Sequence, residues 1–301
     1  MDSITDLNRM MLEAALSLKE ETGSSAVLIF MDSTEDWRFW KDSASKKGLV
    51  ILTQKADTLA DLERYRAELK AVVKLPEVRL TRVGQIKLST IMCITEGVIT
   101  SSDKVVCLTG LSSKGSMDTL MYLDLESETE IFSTTGISKD LLLRVKPEVI
   151  ETVLGIALEL SSEGREGRAI GTTFVIGDHE KVARLSRPLI MNPFKGYPEE
   201  SRNILDDAVH ETIKEFALLD GAFVIREDGI VVSAGVHLDA ALEEEGHMPG
   251  LGCRHMAAAG ITDVTEATAV TISGSTGIVR IFRKGKVLLE IEKAPRANPG
   301  Q

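Results

Sequence analysis

The chain has 301 residues, with 35 Lys+Arg against 46 Asp+Glu and a formal charge of -11. That length exceeds one typical domain, and 43% hydrophobic with 27% charged residues supports a sizeable core rather than a disordered chain. The acidic balance and an aromatic content of 4% argue against a binder of nucleic-acid polymers, which works through clustered Lys and Arg or rows of stacking rings.

In chain order, Ile4, Leu7, Met10, Met11, Ala14, Ala15 and Leu18 recur at helical spacing after a candidate cap at Ser3, which predicts a helix over 4–21. This segment carries acids throughout and no uninterrupted apolar core, so it does not read as a secretory signal. No apolar run approaches the ~18 residues of a membrane span. Buried strands are predicted at 26–31 (AVLIFM) and 48–53 (GLVILT), a helix over 58–69, a strand at 72–75 (VVKL), a helix near 84–99 and a strand at 105–110 (VVCLTG). Strands alternating with helices in this way predict a parallel α/β sandwich.

A boundary is expected at Lys146-Pro147, because Pro suits the first turn of a helix. It divides the chain into domains 1–146 and 147–301. The helix from Pro147 places Val149, Val153, Ile156 and Leu160 on one face. A strand at 172–177, an irregular Pro/Gly stretch through NPFKGYP and a helix over 199–217 follow. The strands AFVIR, GIVVSAG, TAVTIS, GIVRIFR and KVLLEIE then come in quick succession, with EDG (227–229) and RKG (283–285) as hairpin turns. This half predicts a mixed α+β domain. The cysteines Cys93, Cys107 and Cys253 form no CxxC pair, and the histidines at 179, 210, 237, 247 and 255 have no metal-ligand spacing. A reducing, cytoplasmic setting is the expectation, with no disulfide framework and no zinc site.

Three short segments carry polar chemistry. In GLGCRHMAAAGIT (250–262) two glycines precede a helix start, whose free N–H groups and partial positive charge favour an anion. Arg254 adds a charged fork and His255 a further donor; the same residues also suit an ordinary loop with Arg254 paired to a surface acid. In LLDGAFVI (218–225) Asp220 can ligate a divalent cation or orient a hydroxyl, with Gly221 and Ala222 leaving room for a ligand, or Asp-Gly can be a turn pair. In SGSTG (273–277) the strand end can wrap a phosphate or simply turn the chain.

Taken together, Asp220-Gly221-Ala222, then Gly252-Cys253-Arg254-His255, then Ser273 with Thr276-Gly277, resemble the diadenylate cyclase domain over roughly 147–292. The resemblance implies an enzyme that joins two ATP molecules into cyclic di-AMP with release of two pyrophosphates, each protomer holding one ATP, so that self-association is required. It implies that Asp220 binds a divalent metal, Mn2+ or Mg2+, and acts on the 3′-hydroxyl, and that Arg254 and His255 hold phosphates. It further implies that Gly221, Ala222, Gly252 and Cys253 line the nucleotide and that Ser273 and Thr276 lie by the phosphates. With few aromatics, adenine is expected on Leu238 and Leu251. The first half resembles the carboxy-terminal domain of pyruvate kinase, a combination similar to the archaeal type of cyclase. The chain departs from the family at Met256, where a second Arg is usual after the histidine, and at Gly274-Ser275, where bacterial members carry acids. These departures motivate an alternative, a non-catalytic sensor of ATP or cyclic di-AMP, and a third reading is an oligomeric scaffold.

Overall fold

The computed structural model describes residues 3–32, 48–63, 65–111, 115–128, 145–240 and 252–292. Contacts divide them into two compact units, the first holding the described residues up to 128 and the second those from 145.

The first unit begins with α1 (Ser3–Thr22), β1 (Ala26–Phe30), β2 (Leu49–Thr53), α2 (Ala56–Glu63) and β3 (Ala71–Lys74). It continues with α3 (Arg82–Thr95), β4 (Lys104–Leu111) and β5 (Ser116–Asp124). The sheet order is β3-β2-β1-β4-β5, with the first four strands parallel and β5 antiparallel to β4. Every residue of β1 and β2 is buried, as expected of strands covered on both faces, whose sequences are continuous apolar runs. Val27, Ile29, Val106 and Leu108 pack with Leu12 and Ala15 of α1 and Leu62 of α2. On the other face Leu28, Phe30 and Cys107 meet Ile86 and Ser89 of α3. Thr81 caps α3 by accepting from the Gly84 N–H at 3.0 Å. Two features differ from the pattern reading. The helix predicted to reach 69 stops at Glu63, before a 3-10 turn at Arg66–Glu68. The strand β5 also has no counterpart there, because as a partly covered edge strand it mixes polar and apolar positions.

The second unit starts with α4 (Pro147–Glu163), whose first residue is the expected proline, and continues with β6 (Thr173–Ile176). The stretch expected to be irregular holds α5 (His179–Arg184) and a three-residue strand β7 (Ser186–Pro188). The helix expected over 199–217 is shorter, α6 (Asp207–Phe216), capped by Asp206, with only a 3-10 turn at Glu199–Arg202. Then follow β8 (Ala222–Ile225), β9 (Val231–Leu238), α7 (Cys253–Val264), β10 (Thr268–Ile272), β11 (Val279–Arg283) and β12 (Lys286–Ile291). The seven strands are ordered β12-β11-β10-β6-β8-β9-β7. Only β6 and β8 run parallel, and both predicted hairpins, β8–β9 and β11–β12, are present. One face of the sheet (Val175, Val224, Ala269, Phe282) packs on Ala258, Ala259 and Ile261 of α7. In the register of β6 with β8, Phe174 stands opposite Phe223 and their rings stack at 5.0 Å. This architecture sets the starts of β6 and β8, the end of β10 and the start of α7 at one end of the sheet.

Candidate active site

The segments singled out in the sequence meet there. A cleft of about 360 Å3 is lined by Gly252, Cys253, Arg254 and His255 from the start of α7, by Ser273, Gly274, Ser275 and Thr276 from the β10–β11 turn, and by Arg280 of β11. Gly252 caps α7 with extended backbone, and the first helical bonds run from the His255 and Met256 N–H groups to its carbonyl. The Cys253 and Arg254 N–H groups therefore have no intrahelical partner, as at any helix start. Ser273 is 7% exposed. Its Oγ lies 3.3 Å from the Thr276 N–H and 3.3 Å from the Ser275 hydroxyl, which winds the turn tightly. Thr276 itself is exposed. Backbone packs closely next to the cleft: a Cβ on Gly171, just before β6, would sit 2.9 Å from the Gly274 nitrogen and 3.2 Å from the Arg254 guanidinium.

Asp220 joins the cleft through Arg254, whose Nη2 donates to its Oδ1 at 2.9 Å; the same oxygen accepts from the Gly221 N–H at 3.1 Å. The Arg254 Nε is buried and has no hydrogen-bond partner. Gly221 has φ +107°, and a Cβ there would meet Gly235 and Val236 backbone at 2.8 Å, so the turn into β8 accepts only glycine. Ala222 is buried opposite Val236, and Leu238, 6% exposed, lies in the apolar cluster beneath α7 rather than in the cleft. Leu251 lies outside the described residues.

His255 is buried, its ring 6.1 Å from Phe282, and its Nε2 receives Arg280 Nη1 at 3.0 Å. A guanidinium only donates, so Nε2 is the unprotonated nitrogen and the proton sits on Nδ1. Burial first and then the Arg280 charge push the His255 pKa down to about 4; Glu290 opposes them, and Arg254 adds a lesser push down. His255 is thus neutral near pH 7 and has a hydrogen bond, not a charge, to offer an anion.

Arg280 was not singled out in the sequence. Its Nε donates to Glu290 at 2.5 Å from the facing strand. An arginine inside an apolar strand is the one available signal. Its partner is hidden, because a one-residue irregularity at Ile281/Phe282 sets Glu290, rather than Leu289, opposite Arg280.

For a divalent ion, Asp220 offers a carboxylate with an 81% exposed side chain. Among the described residues no three His, Cys, Asp or Glu side chains gather. One exposed carboxylate beside a cleft lined with anion-favouring groups fits Mg2+ or Mn2+, which take few protein ligands and complete their shell with phosphate oxygens and water.

Residues 159–287 match the family described as "DisA bacterial checkpoint controller nucleotide-binding", and residues 7–132 that described as "Probable sensor domain DacZ_P". The chain is 39% identical over 203 residues to a diadenylate cyclase of Methanocaldococcus jannaschii; the match covers 67% of this chain and 63% of that protein, less than two thirds of its length. It is 36% identical over 230 residues to the diadenylate cyclase of Haloferax volcanii, covering 75% of this chain and 81% of the relative. The solved DacA of Staphylococcus aureus overlaps 49% of this chain and 87% of its own at 21% identity and a TM-score of 0.31. With more than a third of the aligned residues identical across four fifths of the Haloferax protein, the chain belongs to the diadenylate cyclase family.

Proposed function

We propose that this chain condenses two ATP molecules into cyclic di-AMP and two pyrophosphates where two protomers face each other. The observation that carries this reading is the convergence of the Gly252–His255 helix start, the Ser273–Thr276 turn and, through Arg254, Asp220 on one cleft in an acidic chain. In the reaction each ribose 3′-oxygen bonds to the α-phosphorus of the other nucleotide, the bond from that phosphorus to the bridging oxygen breaks, and each hydroxyl proton leaves. Catalysis then consists of alignment, neutralisation of the phosphates and handling of the hydroxyl proton.

Asp220 orients the 3′-hydroxyl and takes up its proton. Arg254 holds phosphate with its guanidinium, and the free N–H groups at the start of α7 hold oxygens beside Gly252 and Cys253. Its ion pair with Asp220 is exposed, at 40% and 81% of the two side chains. A pair of that kind contributes roughly 1 kcal/mol or less, so an arriving triphosphate displaces it readily. Ser273 and Thr276 lie by the phosphates, neutral His255 contributes a hydrogen bond, and Gly221 and Ala222 let the nucleotide approach the backbone. Leu251 is the remaining apolar candidate for a seat for adenine, since Leu238 is buried in the cluster beneath α7. A divalent cation, Mn2+ or Mg2+, held by Asp220 would supply charge neutralisation to the phosphates.

Since one protomer supplies one ATP site, self-association is part of the reading. The chemistry is assigned to 147–301. The part up to 146, with its pyruvate kinase-like alternation of strands and helices and its match to a described sensor domain, is assigned to sensing or assembly. Among the described residues no helix is long and apolar enough to cross a membrane; the cytoplasm is the proposed location.

The test is incubation of the purified chain with ATP and Mn2+ or Mg2+, followed by chromatography of the products. Cyclic di-AMP is expected. ATP binding without product under either metal selects the sensor, and absence of nucleotide binding selects the scaffold.

A further inference from the structure

Arg280 has the surroundings of a residue that is aimed. Its side chain is 12% exposed yet reaches the cleft wall. Burying a guanidinium is costly unless its charge is matched, and Glu290 matches it through Nε at 2.5 Å. A second fixed contact, Nη1 on His255 Nε2 at 3.0 Å, leaves the fork no freedom to turn. These two bonds occupy two of five N–H donors. A cross-strand ion pair alone would need neither a buried histidine acceptor nor a place on the cleft.

Two guanidiniums, Arg254 and Arg280, thus face one cleft in a chain of net charge -11. Of the acids hydrogen-bonded to them, Glu290 is bound to Arg280 from the adjoining strand and Asp220 is a largely exposed partner of Arg254. With the exposed Asp220 displaced, Arg254 and the helix start present positive charge to the cleft, and Arg280 adds its unused N–H donors beside them.

Resting on the nucleotide reading of the cleft, we propose that Arg280 is a further substrate-binding residue, holding the phosphate chain from the strand side while Arg254 holds it from the helix start. Glu290 and His255 are its positioning residues. They fix the guanidinium before the nucleotide arrives, so that little side-chain freedom is lost on binding.

The test compares affinities of the full chain for α,β-methylene-ATP, which cannot be cyclised, and for adenosine, which has no phosphate. Arg280→Met keeps the stem that packs in the strand and removes the fork. It should weaken α,β-methylene-ATP roughly 10- to 100-fold while adenosine affinity stays unchanged. Arg280→Lys keeps charge without the planar fork and should fall between the two. Glu290→Gln, which loosens the fork, should weaken the triphosphate analogue less than Arg280→Met. Unchanged analogue affinity in Arg280→Met, or equal loss for analogue and adenosine, overturns the proposal. Should Arg280→Met not fold, Arg280→Lys and Glu290→Gln decide, and parental affinity in both overturns it. If the parent makes no cyclic di-AMP but Arg280→Met loses the analogue, the catalytic reading falls and this one stands. If the parent makes it and Arg280→Met binds normally, only this one falls.

Discussion

Asn8 and Thr109 of the first unit and Arg254 and Arg280 of the second use their polar atoms in opposite ways. In the first, Asn8 donates to the Gly115 carbonyl at 3.0 Å and accepts from the Met117 N–H at 2.8 Å, and Thr109 donates to Gln85, so these side chains close on their own scaffold. Its cysteines are inert by burial, which pushes the Cys107 thiol up to about 12 and raises Cys93 as well. In the second unit Arg254 keeps a buried Nε without a partner, and Arg280 is held with donors to spare at a cleft. Polar groups that satisfy one another stabilise a fold, whereas fixed groups with unused donors beside open space are equipped for a ligand.

The largest effect that would break this contrast is at Asp220. Asp220→Asn should lower cyclic di-AMP formation on the order of 1000-fold with an unchanged melting curve, because the side chain is 81% exposed. Turnover at the parental rate would remove Asp220 from the chemistry.

Next comes pH. His255 titrates at about 4 in the folded chain against an ordinary 6.5. Between these values the unfolded chain takes up a proton that the folded chain refuses. The contribution to stability is therefore fully present above 6.5 and is lost as pH falls toward 4, by ~2–3 kcal/mol at pH 4.5. Denaturant titrations at pH 7.5 and 4.5 should show this drop in the parent and a smaller one in His255→Gln; equal drops would show that His255 is not held neutral.

A smaller change is expected at Arg254, where Arg254→Ala should weaken ATP retention roughly 10-fold or more, measured by calorimetry. Unaltered binding would remove its phosphate role. The mildest test sharpens the contrast itself: a maleimide should label the exposed Cys253 in the native chain and leave the buried Cys93 and Cys107 unlabelled until denaturant is added. Labelling of Cys107 at native pH would mean that the first unit opens.

Much of this was legible in the sequence because burial on both faces writes itself as apolar runs. AVLIF and LVILT are strands β1 and β2, and TAVTI is β10. Glycines were also legible and located the segments around Asp220, Arg254 and Ser273; among the three, Gly221 beside Asp220 marks a tight approach, whereas a Cβ on Gly252 would meet nothing within 4 Å. Local hydrogen bonds that compete with a helix were not: Asn203 accepts from the Leu205 N–H at 3.0 Å and Asp206 from the Ala208 N–H at 3.0 Å, which keeps 203–206 out of α6. Edge strands such as β5 and β7 lack the apolar signature, since one side of each is open. Arg280 and Glu290 could not be paired by counting residues from the RKG turn, because the irregularity in the β11–β12 pairing shifts the count by one.

The most direct test of the central claim is the stoichiometry and order of the reaction with ATP and a divalent metal. Two pyrophosphates should be released for each cyclic di-AMP formed, at a rate per chain that rises with protein concentration until the protomers are fully associated. Release of ADP and phosphate, or a cyclic di-AMP rate per chain that stays constant in a demonstrably monomeric sample, would contradict it.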